Sequence, residues 1–578
     1  MVIMIPKAIH DFVKKVVSGK HPHQPKAIED RQANVLSIIE TLVSGKSSQG
    51  SGVVTKREIK GVSTKDSGKD RTLIKFAVSD GENSVSCVAH NCDMKYGLGT
   101  GLKADVLTAF DAIIRKSLAD GKHIKLKGLY ANFKSERVFV VEKIEWEEDV
   151  HKSQISEKVV EDFLKVCKKE GITPLDVMMD DTGLWAEIYA DQDLKKAILL
   201  YCLSPFDKED MIHIGLITNP GEGKNHLVDK VISPLVRCRM AGTGKLSTFA
   251  AMFGAMSSDD LNSIELGLLP KMNHDRIVFS EFQTLEEDVF GEMLNVMTDG
   301  HYNMQKGKMD VTRHAMLNMA FFGNPPNYYK DGEHKKEEML RAFGKYTMPI
   351  VSRLTLIFAK PTLIKGADAE TKIKEKILQN MDKTVSQGVN KSEINNLRTF
   401  FREYLKCVSR YHPKLKACEG IVTSEFARIE QTDQFSMAFA KRGKTDYRKW
   451  AELLNLVRGF TRLNGRHVVD ISDIDNAIDI FQDSLETLTS AFPRSALNQG
   501  MDAGVLELYH KLLKNFGNGS GQASGSRKEM NRYAASLGLK DEWKTLQKMK
   551  YDDETPPNMV VDDIEGHIII KPNWNGDA

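Results

Sequence analysis

The sequence has 578 residues, more than one hydrophobic core can organise, so about three or four domains are expected. Hydrophobic residues (41%) and charged residues (28%) occur in ordinary globular proportions, and a net charge of only +2 excludes bulk basicity as a sign of nucleic-acid binding. Seven scattered cysteines without disulfide-like spacing fit a reducing compartment, and no apolar run approaches the roughly 18 residues that a membrane span requires.

The N-terminal part of the sequence predicts short helices followed by a small β-barrel. Residues 1–48 carry short helical patterns, the clearest at 36–43, and residues 49–150 change to strand-like alternation. Alternating apolar and polar residues predict strands at 53–60, 71–80, 83–90, 123–133 and 137–146. Leu107, Phe110, Ile114 and Leu118 recur at helical spacing between the third and fourth strands. This order is that of an OB-fold β-barrel, and another five-stranded barrel is the alternative.

The rest of the chain shows three patterned regions after a helical connector at 151–182. Residues 183–362 alternate helices with short apolar strands, which is typical of a parallel sheet buried on both faces. Residues 363–490 are mostly helical in pattern. Residues 498–578 contain helices and end in two strands, which predicts a winged helix, a relative of the helix-turn-helix. A multidomain α/β protein is therefore expected.

A glycine-rich loop, TNPGEGKN at 218–225, joins the apolar strand IGLIT to a helix. Such a turn presents backbone N–H groups to phosphate, and Lys224 adds a positive charge. The pattern G-x-x-x-x-G-K-[ST] is incomplete, because Thr218 replaces its first glycine and Asn225 its magnesium-binding hydroxyl. An ordinary strand–helix turn is the alternative. The predicted nucleotide-binding loop consists of Asn219, Pro220, Gly221, Glu222, Gly223, Lys224 and Asn225.

Three further segments place polar residues beside apolar strands. RIVFSEF (276–282) carries Ser280 and Glu281 where an ATPase strand carries an Asp that supports the metal and a Glu that activates water. The apolar strand in MLNMAFFGNPPNYY (316–329) delivers Asn324, whose amide can orient the attacking water. Arg353, at a strand edge in VSRLTLIF (351–358), is suited to stabilising phosphate charge in a transition state. Taken alone, Glu281 is an unremarkable residue after a strand, Asn324 before proline is a turn signal, and Arg353 is most often a surface arginine.

In their order, these segments resemble the minichromosome maintenance (MCM) helicases of the AAA+ class. LWAEIYADQDLKKAILLYCLS (184–204) is similar to the segment that opens the family's ATPase domain. NPGEGKN resembles its phosphate loop, FSEF its IDEF strand, GNPP its Asn-Pro sensor and VSRLTLIF its S-R-F-D finger motif. The stretch 447–478, which begins YRKWAELLNLVRGFTRL, is similar to the family's lid helix, with Arg448 at its second sensor arginine. The resemblance covers about residues 184–485.

The resemblance implies an AAA+ P-loop ATPase core at 183–362 and a helical lid at 363–490, flanked by the N-terminal OB-like β-barrel and the C-terminal winged helix. It further implies a homo-oligomeric ring, most often a hexamer, with ATP between subunits. Lys224, Asn225 and Ser280 would hold phosphate and Mg²⁺. The implied catalytic residues are Glu281, which activates water, Asn324, which orients it, and Arg353 and Arg448, which come from the neighbouring subunit.

HYNMQKGKMDVTRH (301–314) is similar to the family's hairpin before the first sensor, whose lysine reaches DNA in the central pore. Lys306 falls on that lysine and Lys308 lies beside it. A polar hairpin with lysines suits phosphate contacts along single-stranded DNA or a DNA fork, and a solvated charged turn is the alternative. The family's zinc module is not expected, because CVAHNC (87–92) offers only two cysteines and a histidine, crowded on a strand end.

Three functions remain open from the sequence. The first is an ATP-dependent DNA helicase in the cytoplasm or on the nucleoid, with hydrolysis slowed because both metal-side residues are altered. The second is a nucleotide-bound scaffold or loader at replication sites. The loss of both metal-side residues is the sequence feature that indicates this function. The third is an AAA+ remodeller of proteins that docks through its barrel. ATP turnover that single-stranded DNA stimulates would separate the helicase from the other two.

Overall fold

The structure of this chain, a computed structural model, describes residues 5–28, 48–62, 71–79, 84–90, 102–120, 123–133, 136–146, 153–188, 190–242, 248–256, 264–282, 285–306, 309–324, 347–359, 391–430, 432, 447–491, 503–517, 523–537, 539–540, 543–544, 561–564 and 567–570. The helical pattern at 36–43 and Lys308 of the predicted hairpin lie outside these ranges. Within them, no helix is long and apolar enough to cross a membrane.

The strands that follow helix α1 (Lys7–Val17) in the chain close into a five-stranded barrel. The strands are β1 (Ser48–Val62), β2 (Arg71–Ser79), β3 (Ser84–His90), β4 (His123–Phe133) and β5 (Glu136–Trp146). Their order is β1-β2-β3-β5-β4, and β4 returns to pair antiparallel with β1. Helix α2 (Ala104–Asp120) lies between β3 and β4, and its Leu107, Phe110 and Ile114 belong to the barrel's apolar core. This core explains the helical spacing seen in the sequence.

The middle of the chain contains one parallel sheet and two hairpins. Its strands are β6 (Ile214–Ile217), β7 (Cys238–Gly242), β8 (Gly254–Met256), β9 (Ile264–Leu266), β10 (Asp275–Ser280), β11 (His301–Lys306), β12 (Met309–His314), β13 (Leu317–Gly323) and β14 (Leu356–Ala359). The parallel sheet has the order β14-β6-β13-β10-β7. All residues of β6, β13 and β14 are buried, as continuous apolar runs predict.

Helices before and after β14 contribute buried residues to the same apolar core as this sheet. Those before β14 are α3 (Glu157–Glu170), α4 (Pro174–Met179), α5 (Gln192–Leu203), α6 (Lys224–Leu227), α7 (Ser233–Leu235), α8 (Phe249–Phe253), α9 (Leu268–Lys271), α10 (Glu287–Asp299) and α11 (Thr347–Val351), with a π-helical turn (Val228–Ile232) between α6 and α7. Those after it are α12 (Lys391–Val408), α13 (Glu419–Glu430), α14 (Tyr447–Leu463) and α15 (Ile471–Ala491), with a 3₁₀ turn (Lys416–Cys418) before α13.

A buried ion-pair cluster fixes α14 against the loop that precedes β6. Arg462, only 2% exposed, contacts Asp210 through Nη2 and donates from Nε to the Tyr411 carbonyl at 2.8 Å. Arg458 reaches the same carboxylate at 3.1 Å. Burial alone would raise the pKa of Asp210, but the two guanidinium groups outweigh it and lower that pKa. This cluster therefore holds α14 at a defined position beside the parallel sheet.

The C-terminal residues form a small unit with its own core. Its elements are α16 (Ala503–Phe516), β15 (Ala523–Ser526), α17 (Arg527–Ser536), β16 (Val561–Ile564) and β17 (His567–Ile570). The antiparallel strand order is β15-β17-β16, and Leu508, Leu512, Met530 and Trp543 are buried in the core. The sequence predicts two strands here, whereas the structure has three. A glycine- and serine-rich stretch becomes β15 because β17 supplies its backbone partners and Ala523 is buried.

Candidate nucleotide site

The carboxyl edge of the parallel sheet brings together residues from three predicted segments. β6, β10 and β13 end at Ile217, Ser280 and Gly323, and the residues that follow them meet at this edge because the strands are parallel. β6 lies between β13 and β14, while the chain leaves β6 for the far strand β7. Open α/β sheets bind ligands at such a switch of strand order, outside the carboxyl ends of the strands.

The loop after β6 is shaped by two glycines in the left-handed region, Gly221 at φ 86° and Gly223 at φ 80°. Apart from the adjacent residues, a Cβ atom at either position would meet no described atom closer than 4.0 Å, so conformation, not space, requires glycine there. The Thr218 amide donates to the Gly323 carbonyl at 3.2 Å, which ties the start of the loop to the end of β13. The loop joins β6 to α6, and its predicted role in binding nucleotide stays a prediction.

The ammonium group of Lys224 lies inside this loop. Its Nζ donates to the Thr218 and Asn219 carbonyls, each at 3.0 Å, and to Asn324 Oδ1 at 2.6 Å. Burial lowers the pKa of Lys224 to about 8, although the carboxylates of Glu222 and Glu281 act in the opposite direction. All three hydrogen-bond acceptors are neutral, so a partly desolvated cation is held where an anion would stabilise it most.

Glu281 follows β10 in a conformation that is unusual for a residue with a side chain. Its φ is 57°, which costs roughly 1–2 kcal/mol outside glycine, and its amide still donates to the Phe322 carbonyl at 2.9 Å. Glu281 is exposed, and its carboxylate lies close enough to Lys224 to oppose the lowering of that lysine's pKa by burial. Residues held in sparsely populated conformations cluster at functional sites, so the geometry singles out Glu281 within this segment.

The same edge offers neutral oxygen atoms for a metal ion. Mg²⁺ prefers hard oxygen ligands and keeps several water ligands when phosphates hold it. Asn225 is exposed at the start of α6, and the half-buried Ser280 hydroxyl donates to the Ala241 carbonyl at 3.4 Å. Asn219 Oδ1 is buried and accepts no hydrogen bond among the described residues. These oxygen ligands carry no charge. They fit a Mg²⁺ ion that is held mainly by the phosphates of a nucleotide.

Arg353 lies at the opposite edge of the sheet from Lys224. It sits in the turn between α11 and β14, three residues before Leu356, which pairs with Ile214 at the start of β6. From His213 to Thr218 the chain advances about 16 Å, at roughly 3.3 Å per residue. The sequence predicts one strand over VSRLTLIF with Arg353 at its edge, whereas in the structure β14 begins only at Leu356. One chain therefore does not bring Arg353 to the loop of Lys224.

Arg353 and Arg448 line a cavity of about 290 Å³, the arginine cavity, with Lys208, Arg458, Glu209 and Glu452 among its other charged residues. Arg353 donates from Nε to Thr298 Oγ1 at 2.7 Å and from Nη1 to the Pro349 carbonyl at 2.9 Å. Burial lowers the pKa of Arg353, and the positive charge of the neighbouring Arg448 lowers it further. Of the described loop residues, none lines this cavity.

Helix α10 connects the arginine cavity to the predicted DNA hairpin. Thr298 and Asp299 end the helix, and β11 begins at His301. Lys306 is the last residue of β11 and pairs with Met309 of β12, while Lys308 lies outside the described residues. Thr298 and Arg353 are 55 residues apart, and no motif in the sequence marks the threonine, so sequence reasoning misses this contact.

The CVAHNC segment lies at the end of β3. Cys87 is buried in the barrel core, its Sγ donates to the Val85 carbonyl at 3.6 Å, and burial raises the pKa of its thiol. His90 is also buried, and Cys92 lies outside the described residues. A thiol in this setting resists the deprotonation that metal binding requires.

Comparison with known proteins includes a distant similarity to a replication protein. No family model matches the chain. Over 350 residues the chain is 21% identical to the DNA replication licensing factor mcm7 of Schizosaccharomyces pombe. The aligned segment covers 57% of this chain and 44% of that protein, so the chain spans less than half the length of this relative. The similarity indicates an MCM-like relationship.

Proposed function

We propose that this chain is an MCM-like ATPase of the AAA+ class that assembles into a ring, most often a hexamer, and moves along single-stranded DNA during replication. The observation that carries the proposal is the Lys224 ammonium bound to Asn219 and Asn324 beside Glu281, with Arg353 at the opposite edge of the sheet. In a ring of identical chains, the arginine cavity of one copy faces the loop of the next. A complete site then requires two chains.

The proposed chemistry assigns one role to each group. Lys224 binds the outer phosphates of ATP, Glu281 accepts a proton from the attacking water, and Asn324 orients that water. Arg353 and Arg448 of the adjacent copy neutralise charge that develops on the transferred phosphoryl group. Mg²⁺, when bound through Asn225, Ser280 and the phosphates, supplies charge neutralisation on the phosphate oxygens.

The flanking units receive proposals of their own. The closed barrel order β1-β2-β3-β5-β4, with α2 between the third and fourth strands, supports an OB-like collar for single-stranded DNA. The strand order β15-β17-β16 with α16 and α17 supports a winged helix. The α12–α15 helices on the core of the parallel sheet support a lid.

A nucleotide-bound scaffold is the second candidate, and one observation favours it. Both metal-side positions, Asn225 and Ser280, carry neutral side chains, and the Ser280 hydroxyl already donates to Ala241. Weak metal binding would allow ATP to bind without being hydrolysed. The strained conformation of Glu281 favours the working enzyme, because an unused base gains nothing from that strain.

The test is ATP turnover with and without single-stranded DNA, at rising magnesium concentration, against a Glu281→Gln background. We expect DNA-stimulated turnover that needs less magnesium in the Asn225→Ser, Ser280→Asp double variant. Turnover no higher than the Glu281→Gln background at any magnesium level would replace the helicase by the scaffold. Turnover without DNA stimulation would favour a protein remodeller.

The shared site is tested by mixing two inactive variants. Arg353→Ala should leave nucleotide binding nearly intact and abolish turnover, while Lys224→Ala should lose ATP binding. Mixed rings contain some interfaces with an intact loop from one chain and an intact arginine from the other. Partial recovery of turnover is therefore expected, and its absence in well-mixed rings would exclude a site shared between chains.

The pore hairpin is tested with Lys306→Ala. DNA contacts through phosphates should weaken with added salt, because they release counterions. The variant should lose far more unwinding than basal ATP turnover. An equal loss of both activities would contradict a role for Lys306 in the pore.

A further inference from the structure

Two histidines and one carboxylate converge away from the nucleotide site. His21 and His23 lie in the KHPHQP loop after α1, and Asp162 lies on α3, 139 residues from His23 in sequence. One potential ligand atom from each residue lies within 4.8 Å of the other two. We propose that His21, His23 and Asp162 bind a divalent transition-metal ion, with Zn²⁺ the best match to these ligands. This site is independent of the proposed ATPase function.

The distances between these atoms suit a tetrahedral ion. Zn²⁺ takes nitrogen and oxygen ligands at about 2.0–2.2 Å, which places ligand atoms roughly 3.3 Å apart around a tetrahedron. His23 Nδ1 is 2.7 Å from Asp162 Oδ2, and His21 Nε2 is 3.9 Å from the same oxygen. These separations lie on either side of the required value. Small side-chain rotations therefore admit the ion, and three protein ligands leave a fourth position for water.

The loop that carries the histidines is held rigidly. Gly19 has φ 70°, and a Cβ there would lie 2.4 Å from the Ala27 amide nitrogen, so the loop closes tightly on itself. The His21 ring packs edge-on against Phe12 at 5.0 Å between centroids, and Phe12 contacts Phe163, the residue after Asp162, at 5.6 Å. Both sides of the site are thus anchored to one apolar core, which pre-organises the three ligands.

The contacts of Asp162 leave one of its oxygens to the histidines. Its Oδ1 accepts from Lys165 Nζ at 2.8 Å, while its Oδ2 faces His21 and His23. The His23 amide donates to His21 Nδ1 at 3.3 Å, so binding the ion through His21 Nε2 moves the ring proton to Nδ1 and exchanges this long hydrogen bond for a metal–nitrogen bond.

The ligand types select the class of ion. Imidazole nitrogens suit Zn²⁺, Cu²⁺, Fe²⁺ and Ni²⁺, whereas Mg²⁺ and Ca²⁺ prefer sites made of oxygen atoms. Bound there, the ion would join the loop after α1 to α3, on the core that also holds α12. Its effect would be to stabilise the N-terminal helix on the rest of the chain, by mass action on the folded state.

The experiment uses the full chain, stripped with a chelator and titrated with ZnCl₂ in a calorimeter. We expect a stoichiometric site whose affinity falls about tenfold or more in both His23→Ala and Asp162→Asn, since even losing an outer-shell partner costs that much. His412→Ala, which removes an exposed histidine elsewhere, should leave the affinity unchanged. Zn²⁺ should also raise the thermal midpoint of the natural chain and not of the two ligand variants.

Co²⁺ provides a second readout, because its visible absorption bands intensify when the ion passes from water into a tetrahedral site. These bands should appear in the natural chain and in His412→Ala and be lost in His23→Ala. No stoichiometric Zn²⁺ binding, or binding that both ligand variants retain at unchanged affinity, would overturn the proposal and leave an ion pair as the whole role of the cluster. Both variants should bind ATP like the natural chain, so a failure here is separate from any failure of the proposed function.

Discussion

Replacing Thr298 by valine tests whether the arginine cavity positions Arg353 for catalysis. Thr298 Oγ1 accepts from Arg353 Nε at 2.7 Å and donates to the Leu294 carbonyl at 2.8 Å. Valine keeps the shape and the β-branch of threonine and removes only the hydroxyl. Arg353 would then keep its 2.9 Å contact to the Pro349 carbonyl but lose the partner that fixes the plane of its guanidinium. The prediction rests on the proposed function.

The size of the effect follows from the bond that is lost. A hydrogen bond to a charged group contributes about 1.5–3 kcal/mol, and the lower end applies here because both residues are only half-buried. A loss of about 1.5 kcal/mol in the transition state lowers kcat roughly tenfold. KM for ATP should change little, because the loop of the other chain binds the nucleotide. Thr298→Ser restores the oxygen and should recover most of the rate.

The assay is DNA-stimulated ATP turnover, with kcat and KM measured separately. Thr423→Val is a matched control, since Thr423 also donates to the carbonyl four residues earlier, at 2.8 Å, but lies exposed on α13. That variant should turn over ATP like the natural chain. A kcat of Thr298→Val equal to that of the natural chain would refute a positioning role. If Thr298→Ser instead turned over ATP as slowly as Thr298→Val, packing of the side chain and not its hydroxyl would set the rate.

Three further predictions concern stability and nucleotide binding. Asp210→Ala leaves the buried Arg462 unpaired and should lower the unfolding free energy by about 3–5 kcal/mol in urea, whereas Glu425→Ala at an exposed pair should change it by less than about 1 kcal/mol. ATP affinity should be constant at pH values below about 8, which is the pKa of Lys224 in the chain without ATP, and should fall above that pH because the ammonium group loses its proton. In Lys224→Arg the affinity should not fall, because the guanidinium group stays charged. Asn324→Ala should tighten ATP binding and slow turnover, because it frees Lys224 while removing the group that orients water.

Hydrophobic periodicity predicts most of the strands that build the candidate site. β6, β10 and β13 are visible as short apolar runs because all three are buried inside a parallel sheet. Polar residues stand at or directly after the ends of β10 and β13, so the sequence alone places Ser280, Glu281 and Asn324 at strand ends. Parallel pairing then requires that these residues share one edge, and the structure has them there.

Other features depend on contacts that periodicity does not encode. The left-handed conformation of Glu281 and the contact between Arg353 and Thr298 arise from tertiary packing. The start of β14 at Leu356 is hidden because Leu354 and Thr355 continue the apolar pattern of the strand. The His-Pro-His stretch is visible in the sequence, but its carboxylate partner on α3 is not, since no short-range rule links residues so far apart.

The contact between Lys224 and Asn324 gives the incomplete phosphate loop a physical consequence. The Lys224 ammonium donates to Asn324 Oδ1 at 2.6 Å, so the amide that orients water under the proposed function is engaged with the ammonium. Phosphate competes for the same ammonium and carries full negative charge, whereas the amide oxygen is neutral, so ATP should displace Asn324. The amide then becomes available for water only when ATP is bound. Under the proposed function, ATP binding and readiness for hydrolysis are coupled through Lys224.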